Sequence, residues 1–534
     1  VYCSDNAELL TKILREEWGF DGLVMTDWGA MHDRIEGFKA GCDLNMPGRC
    51  DYMLEETLEA VESGKLEELF IDKSAARVKK MVLDAWEALK SKTPCDYDAH
   101  HTLAREAAEQ GAVLLKNDGD LLPLNEAQTI AVVGDMARDM RYQGAGSSHI
   151  NPTRLVQPAN VLKGTADVDG ADAVIVFAGL PPEYESEGFD RDHMKLPDSH
   201  VRLIEDTARR NPNTVVVLFC GAPVECPWAD KVKAILYMGL PGQAGGEAVK
   251  NLLYGTVTPS GKLAESWPMR YEDCPSAKYY GERDAVYREG VYVGYRHYDK
   301  AGISPRWRFG YGLSYTRFAY SDISVSGEMV RLTVSNNGEY AGAEVVQLYI
   351  APPENSPHRP ARELKRFAKV FLQPGESQTV TFTLDERCFA VWSDGWKVPK
   401  GTYTVLAGGD PEDLHVAGTV QPDGEDVPLS SLWEQIDHHP YVPQKGKYTM
   451  DDSVTDMKEH SLVMKLVYWG IKRTIAKGVK PGTPEYRMMM EASASSPLRS
   501  MAISSGMKTS LFQGLLAMAN GRFFKGLRVL MKKG

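Results

Sequence analysis

Two runs in the middle of the chain, Ala173–Ala178 and Val215–Phe219, are apolar at every position. Apolar runs without alternation suit strands buried on both faces. A sheet of such strands is stable only when helices cover both of its sides. Thr129–Val133 and Ala234–Tyr237 read as further strands of the same kind. Amphipathic segments such as His200–Arg209 and Gly246–Leu253 lie between or after them and supply the helices. Residues 100–268 are therefore expected to form a self-sufficient α/β domain. Pro259-Ser260-Gly261 and Pro268 punctuate its end.

The flanking regions read differently. Residues 1–92 alternate helix and strand, with short apolar strands expected at Leu23-Val24-Met25 and Cys42–Met46. Ser4-Asp5-Asn6 are good helix-capping residues and precede a helical pattern through Leu9, Leu10, Ile13 and Leu14. This looks like the middle of a domain, a piece of an α/β barrel or an open sheet, since two strands cannot close a barrel. Residues 269–317 are rich in Tyr, Arg and Gly and read as a long ordered linker wrapping what precedes them. Between 318 and 420, strand signals at Val330–Val334, Val345–Ile350, Phe367–Leu372, Val380–Leu384 and Tyr403–Leu406 are separated by Asn337-Gly338, Pro374-Gly375 and Lys400-Gly401. That pattern predicts a small β-sandwich of the fibronectin type III kind.

The last segment, 430–534, changes character. From residue 471 onward there are twelve Lys or Arg against two Glu, in a chain whose net charge is −12. Leu511, Leu515 and Leu516 sit on helical spacing. A basic helical extension results, either docking on an acidic surface or a membrane, or packing on the chain's own acidic body.

With 534 residues and 43% hydrophobic content, three or four domains of mixed class are expected. The acidic balance argues against nucleic acid as the main partner. Eight cysteines are scattered without a CxxC pair, at positions 3, 42, 50, 95, 220, 226, 274 and 388. Reduced buried thiols in a cytoplasmic enzyme fit this better than a disulfide framework. No run of about 18 uninterrupted apolar residues marks a transmembrane segment. His32, His100, His101, His149 and His297 lack ligand spacing, and the neighbours His438-His439 rarely share a metal, so no metal site is expected. Homo-oligomerisation stays open.

Three places carry possible chemistry. Asp27 directly follows the apolar run ending at Met25-Thr26, the strand end where α/β barrels hold their reacting groups. Trp28 beside it can stack on a sugar ring. The alternative is an Asp that caps the next helix, followed by a core Trp. The second place is Glu183-Tyr184-Glu185-Ser186-Glu187-Gly188-Phe189-Asp190-Arg191, after the strand Ala173–Ala178. Crowded carboxylates raise at least one pKa, as a general acid requires, although an acidic loop can also be merely solvated. The third is Arg141-Tyr142-Gln143-Gly144-Ala145-Gly146-Ser147-Ser148-His149, a Gly-rich loop facing a sugar or a plain turn; its spacing is not that of a nucleotide-binding loop. Paired carboxylates on separate elements suit glycoside hydrolysis, and retaining enzymes hold theirs about 5–5.5 Å apart.

In combination these segments resemble glycoside hydrolase family 3. Glu17-Trp18-Gly19-Phe20-Asp21-Gly22-Leu23-Val24-Met25-Thr26-Asp27-Trp28-Gly29-Ala30 is similar to the family's nucleophile motif. Val113-Leu114-Leu115-Lys116-Asn117, Leu121-Leu122-Pro123-Leu124, Gly144–Ser148 and Ser186-Glu187-Gly188-Phe189-Asp190-Arg191 resemble segments of its second domain. Pro259–Leu263, Gly290–Arg296 and Phe309–Tyr315 then follow in family order. The resemblance implies Asp27 as nucleophile and Glu187 as acid/base, with Trp28 and Ser147 binding the sugar. It implies retaining hydrolysis of terminal β-linked sugars without a cofactor, glucose first and xylose as the nearest rival. A non-catalytic sugar-binding scaffold is the alternative from another class. One departure matters. Family members place most of a (β/α)8 barrel before the nucleophile strand, including residues that grip the glycone. Here only a C-terminal remnant of that barrel is expected, with exposed strand edges, and the chain by itself should be weakly active or inactive.

Overall fold

The computed structural model describes every residue except 1, 49–50, 92–93, 282–285, 355, 357, 394, 428–441, 506 and 532–534. It divides into two units, residues 96–440 and residues 1–95 with 441–534.

The larger unit begins with helix Tyr97–Gly111, capped by the Asp96 side chain, and turns at Ala112 into β1, Val113–Asn117. Strands β2 (Ile130–Val133), β3 (Ala173–Gly179), β4 (Thr214–Phe219) and β5 (Ala234–Tyr237) follow. The sheet order is β1-β5-β4-β3-β2. β2 to β5 run parallel, while β1 pairs antiparallel with β5. The apolar runs behave as their composition requires. Ile175, Phe177, Val217 and Phe219 point to one side and meet Val249, Leu252 and Leu253 of helix Gly245–Leu253. Val174, Val176, Val216 and Leu218 point to the other and meet Ile204 of helix Asp198–Arg210 and Trp228. Full burial of each such side chain stabilises by about 1.5–3 kcal/mol. β1 escapes a periodicity reading because it follows the preceding helix after a single residue.

The described residues of 269–317 are mostly irregular, and the end of this segment packs on the sheet. Trp307 bridges to Trp267, and Leu313 to Leu114. The sandwich then begins. Its strands are β6 (Phe318–Ser326), β7 (Met329–Asn336), β8 (Gly342–Ala351), β9 (Glu363–Leu372), β10 (Ser377–Thr383), the short hairpin β11 (Val391–Trp392) and β12 (Trp396–Lys397), β13 (Tyr403–Gly408) and β14 (His415–Val420). A three-stranded sheet β10-β7-β6 and a four-stranded sheet β14-β13-β8-β9 enclose Val330, Leu332, Val334, Val346, Leu348, Val405 and their neighbours. Buried Gln347 donates to the carbonyls of Gly310 and Gly409 at 2.9 and 3.1 Å, tying the sandwich to the incoming segment.

Residues 1–95 are helical, with little strand. Helix Glu8–Glu17 is wound in the wide i→i+5 manner and Asn6 caps it through Leu9 N–H at 3.1 Å. Helices Arg34–Ala40, Asp51–Glu62 and Glu68–Ala88 follow. The expected strands Leu23–Met25 and Cys42–Met46 are not formed as such. They meet in one parallel bridge, Met25 to Leu44, and a few flanking hydrogen bonds. Among the described residues each has the other as its pairing partner, and a two-strand parallel ladder has too few neighbours to extend.

Residues 441–534 form helices Val454–Lys458, Leu462–Gly478, Pro484–Met490, Leu498–Ser505, Thr509–Ala519 and Phe523–Met531. Ser453, Ser461 and Thr483 cap three of them. Met457, Met464, Leu498 and Phe512 form a core of their own, against which Leu511, Leu515 and Leu516 rest. No described helix is long and apolar enough to cross a membrane.

Candidate active site

Asp27 stands just past the bridge between Met25 and Leu44. Thr26 N–H donates to Leu44 O at 3.0 Å, and Met46 N–H donates to the Thr26 hydroxyl at 2.9 Å. Gly29 N–H donates to Met46 O at 3.1 Å and closes the turn. The Asp27 carboxylate is exposed and accepts the N–H of Trp28 at 2.6 Å. Trp28 is not a core residue, since 63% of it is exposed. Asp27 caps no helix; Asp33 performs that service for Arg34–Ala40.

What holds this turn is a residue the sequence reading passed over. The Asp43 side chain is wholly buried. One of its oxygens accepts from Arg15 at 2.8 Å and from Val24 N–H at 2.9 Å. The other accepts from the Ser74 hydroxyl at 3.0 Å and from Arg77 at 2.9 Å. Arg34 donates to the carbonyls of Cys42 and Asp43, both at 3.0 Å, and its guanidinium lies 3.5 Å from the Phe38 ring centre. Three arginines thus converge on the segment Cys42-Asp43 and fix it against the run that ends at Asp27. The residues are 19 to 34 positions apart in pairs such as Val24–Asp43 and Asp43–Arg77, which no local motif reveals.

In the larger unit the Gly-rich loop after β2 and the acidic loop after β3 meet at the C-terminal edge of the parallel strands, where open α/β sheets bind ligands. Ser147 N–H donates to Glu187 Oε2 at 2.5 Å, and Glu187 N–H donates to Ala145 O at 3.1 Å. Gly146 has φ +100°, and a Cβ there would come within 2.5 Å of the Glu187 side chain. Only glycine fits that position. Gly188 also has positive φ, +86°, so the loop turns sharply after Glu187 as its sequence suggested. Crowding by Glu183 and Glu185 was expected to raise a carboxyl pKa here. At Glu187 the shift is the reverse: hydrogen bonds from the Ser147 hydroxyl and backbone N–H hold its carboxyl below the ordinary range. Its near neighbours are donors, and it is exposed to water.

Two further residues brace this pair. Buried Arg141 donates to Gln143 O and Glu185 O, both at 2.8 Å. Glu185 Oε2 in turn accepts the N–H of Gly221, just past β4, at 2.9 Å. The Gln143 side chain clasps Ile150 through its N–H at 3.0 Å and its carbonyl at 2.9 Å, closing the Gly-rich loop on itself. Arg141 and Gln143 border the Gly-rich motif in sequence, and that adjacency was the available signal.

The structure therefore joins Ser147 to Glu187, and Asp27 to Trp28. Among the histidines, His101 is buried between Glu247 and Gln243 at 2.9 and 2.7 Å, and His32 meets Asp5 at 3.0 Å. His438-His439 lie outside the described residues. Cysteines 3, 42, 220, 226, 274 and 388 are free thiols, and Cys50 lies outside the described residues.

This architecture matches known proteins. Residues 2–81 match the glycosyl hydrolase family 3 N-terminal domain, 112–295 the family 3 C-terminal domain, and 344–410 the fibronectin type III-like domain. A family 3 β-glucosidase structure from Bifidobacterium adolescentis superposes with a TM-score of 0.75 at 39% identity, covering 81% of this chain and 69% of that one. The chain belongs to glycoside hydrolase family 3. It is 45% identical over 462 residues to thermostable β-glucosidase B of Acetivibrio thermocellus, covering 79% of this chain and 61% of that protein. It is 40% identical over 479 residues to an exo-α-(1→6)-L-arabinopyranosidase of Bifidobacterium breve, covering 80% and 63%. The chain thus spans less than two thirds of the length of these two relatives.

Proposed function

We propose that this chain carries the two reacting carboxylates of a retaining glycoside hydrolase that removes terminal β-D-glucosyl residues. The observation that carries the reading is the seat of Glu187, held by the Ser147 loop at the ligand-binding edge of the parallel sheet. Asp27, exposed just past a parallel bridge, suits the nucleophile. In the first step the Asp27 carboxylate attacks the anomeric carbon. Glu187 gives its proton to the glycosidic oxygen, and the aglycone leaves as an alcohol. In the second step Glu187, now a carboxylate, takes a proton from water, and that water displaces Asp27 from the sugar. The lowered Glu187 pKa favours the carboxylate form that this second step uses and opposes the protonated form that the first step needs. Trp28 offers an exposed ring for the sugar face, and Ser147 a hydroxyl beside the acid/base.

The likeness to a β-glucosidase at 45% identity favours glucose. The arabinopyranosidase likeness at 40% supports a second glycone. We further infer that residues 1–95 are the end of a barrel whose other strands complete the sugar site, and that the 534-residue chain alone is weakly active or inactive. Exposed Trp18, Trp86 and Leu89 support this, since large apolar side chains usually find cover.

The test uses the protein extended by the missing barrel strands, with aryl β-glucoside, β-xyloside and α-L-arabinopyranoside. β-Glucoside turnover with retained configuration is expected, falling on the order of 10⁴-fold or more in Asp27→Asn. Glu187→Gln should retain more activity on substrates with good leaving groups. Sugar binding without turnover would instead favour the scaffold reading. Turnover by the 534-residue chain that Asp27→Asn abolishes would sink the claim of inactivity.

A further inference from the structure

The matched family regions end at residue 410, and the helical segment after 441 has a core of its own. Its last helix, Phe523–Met531, shows two apolar faces. One packs inward. Gly526 lies so close to the preceding helix that a Cβ on it would stand 2.4 Å from Gly514 O, and a Cβ on Gly514 would stand 2.7 Å from Leu530. The other face points to water. Phe523, Phe524, Leu527 and Met531 are all exposed, Phe524 by 84%. At about 100° per residue these four side chains fall within an arc of about 100°.

Charge accompanies this face. Arg528 is exposed on its border, about 40° beyond Phe524, while exposed Lys525 lies farther round, about 100° beyond Phe524. From residue 492 to the end the sequence contains neither Asp nor Glu. Helix Leu462–Gly478 repeats the arrangement. Leu462, Leu466 and Trp469 form an exposed stripe at i, i+4 and i+7, Lys465 and Lys472 lie beside it, and Arg473 sits 5.1 Å from the Trp469 ring. No acidic residue occurs between 462 and 484.

We propose that this C-terminal helical segment docks on an anionic lipid surface, with Phe523, Phe524, Leu527 and Met531 inserted at the headgroup boundary, Arg528 on the lipid phosphates, and Lys525 adding positive charge from the polar side of the helix. Exposed aromatic and aliphatic side chains accompanied by Lys and Arg, in stretches of sequence that lack Asp and Glu, are what an interfacial helix requires. A nine-residue helix is about 13 Å long and lies in the plane of the surface, since spanning takes about 20 residues. The proposal is independent of the glycosidase reading, because binding is measured without turnover.

The test is co-sedimentation of the full chain with vesicles of phosphatidylcholine alone and of phosphatidylcholine with an equal part of phosphatidylglycerol. Binding to the anionic vesicles is expected at low salt, with at least about tenfold weaker partition to the neutral ones. Raising the salt to about 1 M should release the protein, because screening then acts within about 3 Å. Phe523→Ser with Phe524→Ser should lower partition by about tenfold or more, as should Lys525→Glu with Arg528→Glu. Phe524 is too exposed for its loss to unfold the helix. Failure to bind anionic vesicles, equal binding to neutral ones, or binding indifferent to both pairs of substitutions would overturn the proposal. A dimer that the Phe523→Ser, Phe524→Ser protein loses, with no vesicle binding, would assign the face to a second copy of the chain instead.

Discussion

The loop that bears Glu187 and the turn that bears Asp27 are held by opposite means. Glu187 hangs from a five-stranded sheet whose central strands are fully buried, with an apolar cluster on each side. Asp27 rests on a segment whose apolar clusters are small, and whose order comes from Asp43, Arg15, Arg77, Ser74 and Arg34. A hydrophobic core tolerates the loss of one member by partial collapse. A buried ionic network does not, because removing one partner leaves charges stranded. The two carboxylates should therefore respond very differently to mutation of their supports.

The largest effect is expected for Asp43→Ala. Arg15 and Arg77 would lose their common partner, at a cost of about 3–5 kcal/mol. Hydrogen exchange should show lost protection at Val24 and Leu44 while β3 and β4 stay protected. Equal loss in both regions would break the comparison. Leu218→Ala is the converse test. It removes a fully buried side chain from β4 and should cost about 3 kcal/mol, read in the denaturant midpoint of the sheet. Exchange near Asp27 should not change.

A smaller effect is expected at the brace between the loops. Arg141→Met keeps much of the apolar stem but loses the hydrogen bonds to Gln143 O and Glu185 O. Hydrogen bonds from a charged donor are worth about 1.5–3 kcal/mol each, and packing of the methionine recovers part of that. The readout is thermal stability, together with the chemical shift of Ser147 N–H. An unchanged amide would show that Arg141 supports the fold without ordering the loop.

These supports differ in how far the sequence revealed them. The apolar runs at Ala173–Ala178 and Val215–Phe219 announced a sheet buried on both faces, and β3 and β4 occupy those positions. The turn signals around 337, 374 and 400 likewise separated strands of the sandwich. Burial and turn chemistry are local, so they leave a trace in a short window. Asp43 left none, because its partners are at 15, 24, 74 and 77 and nothing near it in sequence marks it as their meeting point. For the same reason Leu23–Met25 and Cys42–Met46 looked like strands: their residues suit burial, but the ladder that would make them strands depends on neighbours elsewhere in the chain. The titration of Glu187 escaped a sequence reading for a related reason. Density of carboxylates in sequence suggested a raised pKa, whereas the groups that touch Glu187 come from the loop after β2.

The smallest effect concerns that titration and sharpens the comparison most finely. Hydrogen bonds from Ser147, hydroxyl first and then backbone N–H, lower the Glu187 pKa. A carboxyl whose folded pKa is depressed adds stability above its unfolded pKa, and this is lost as pH falls through the folded value. Ser147→Ala removes the hydroxyl and leaves the N–H, so the Glu187 pKa should rise part of the way toward an ordinary carboxylate. The rise can be followed by the carbon-13 shift of the Glu187 carboxyl between about pH 2 and 6, the range in which such groups titrate. Gly146→Ala goes further. Its Cβ would collide with the Glu187 side chain and force apart the two loops, removing both donors at once. The order wild type, Ser147→Ala, Gly146→Ala in rising pKa is the expected result. A pKa that ignores both substitutions would mean that Glu187 is not held by this loop in solution, and its seat on the sheet edge would then be no firmer than that of Asp27 on its ionic network.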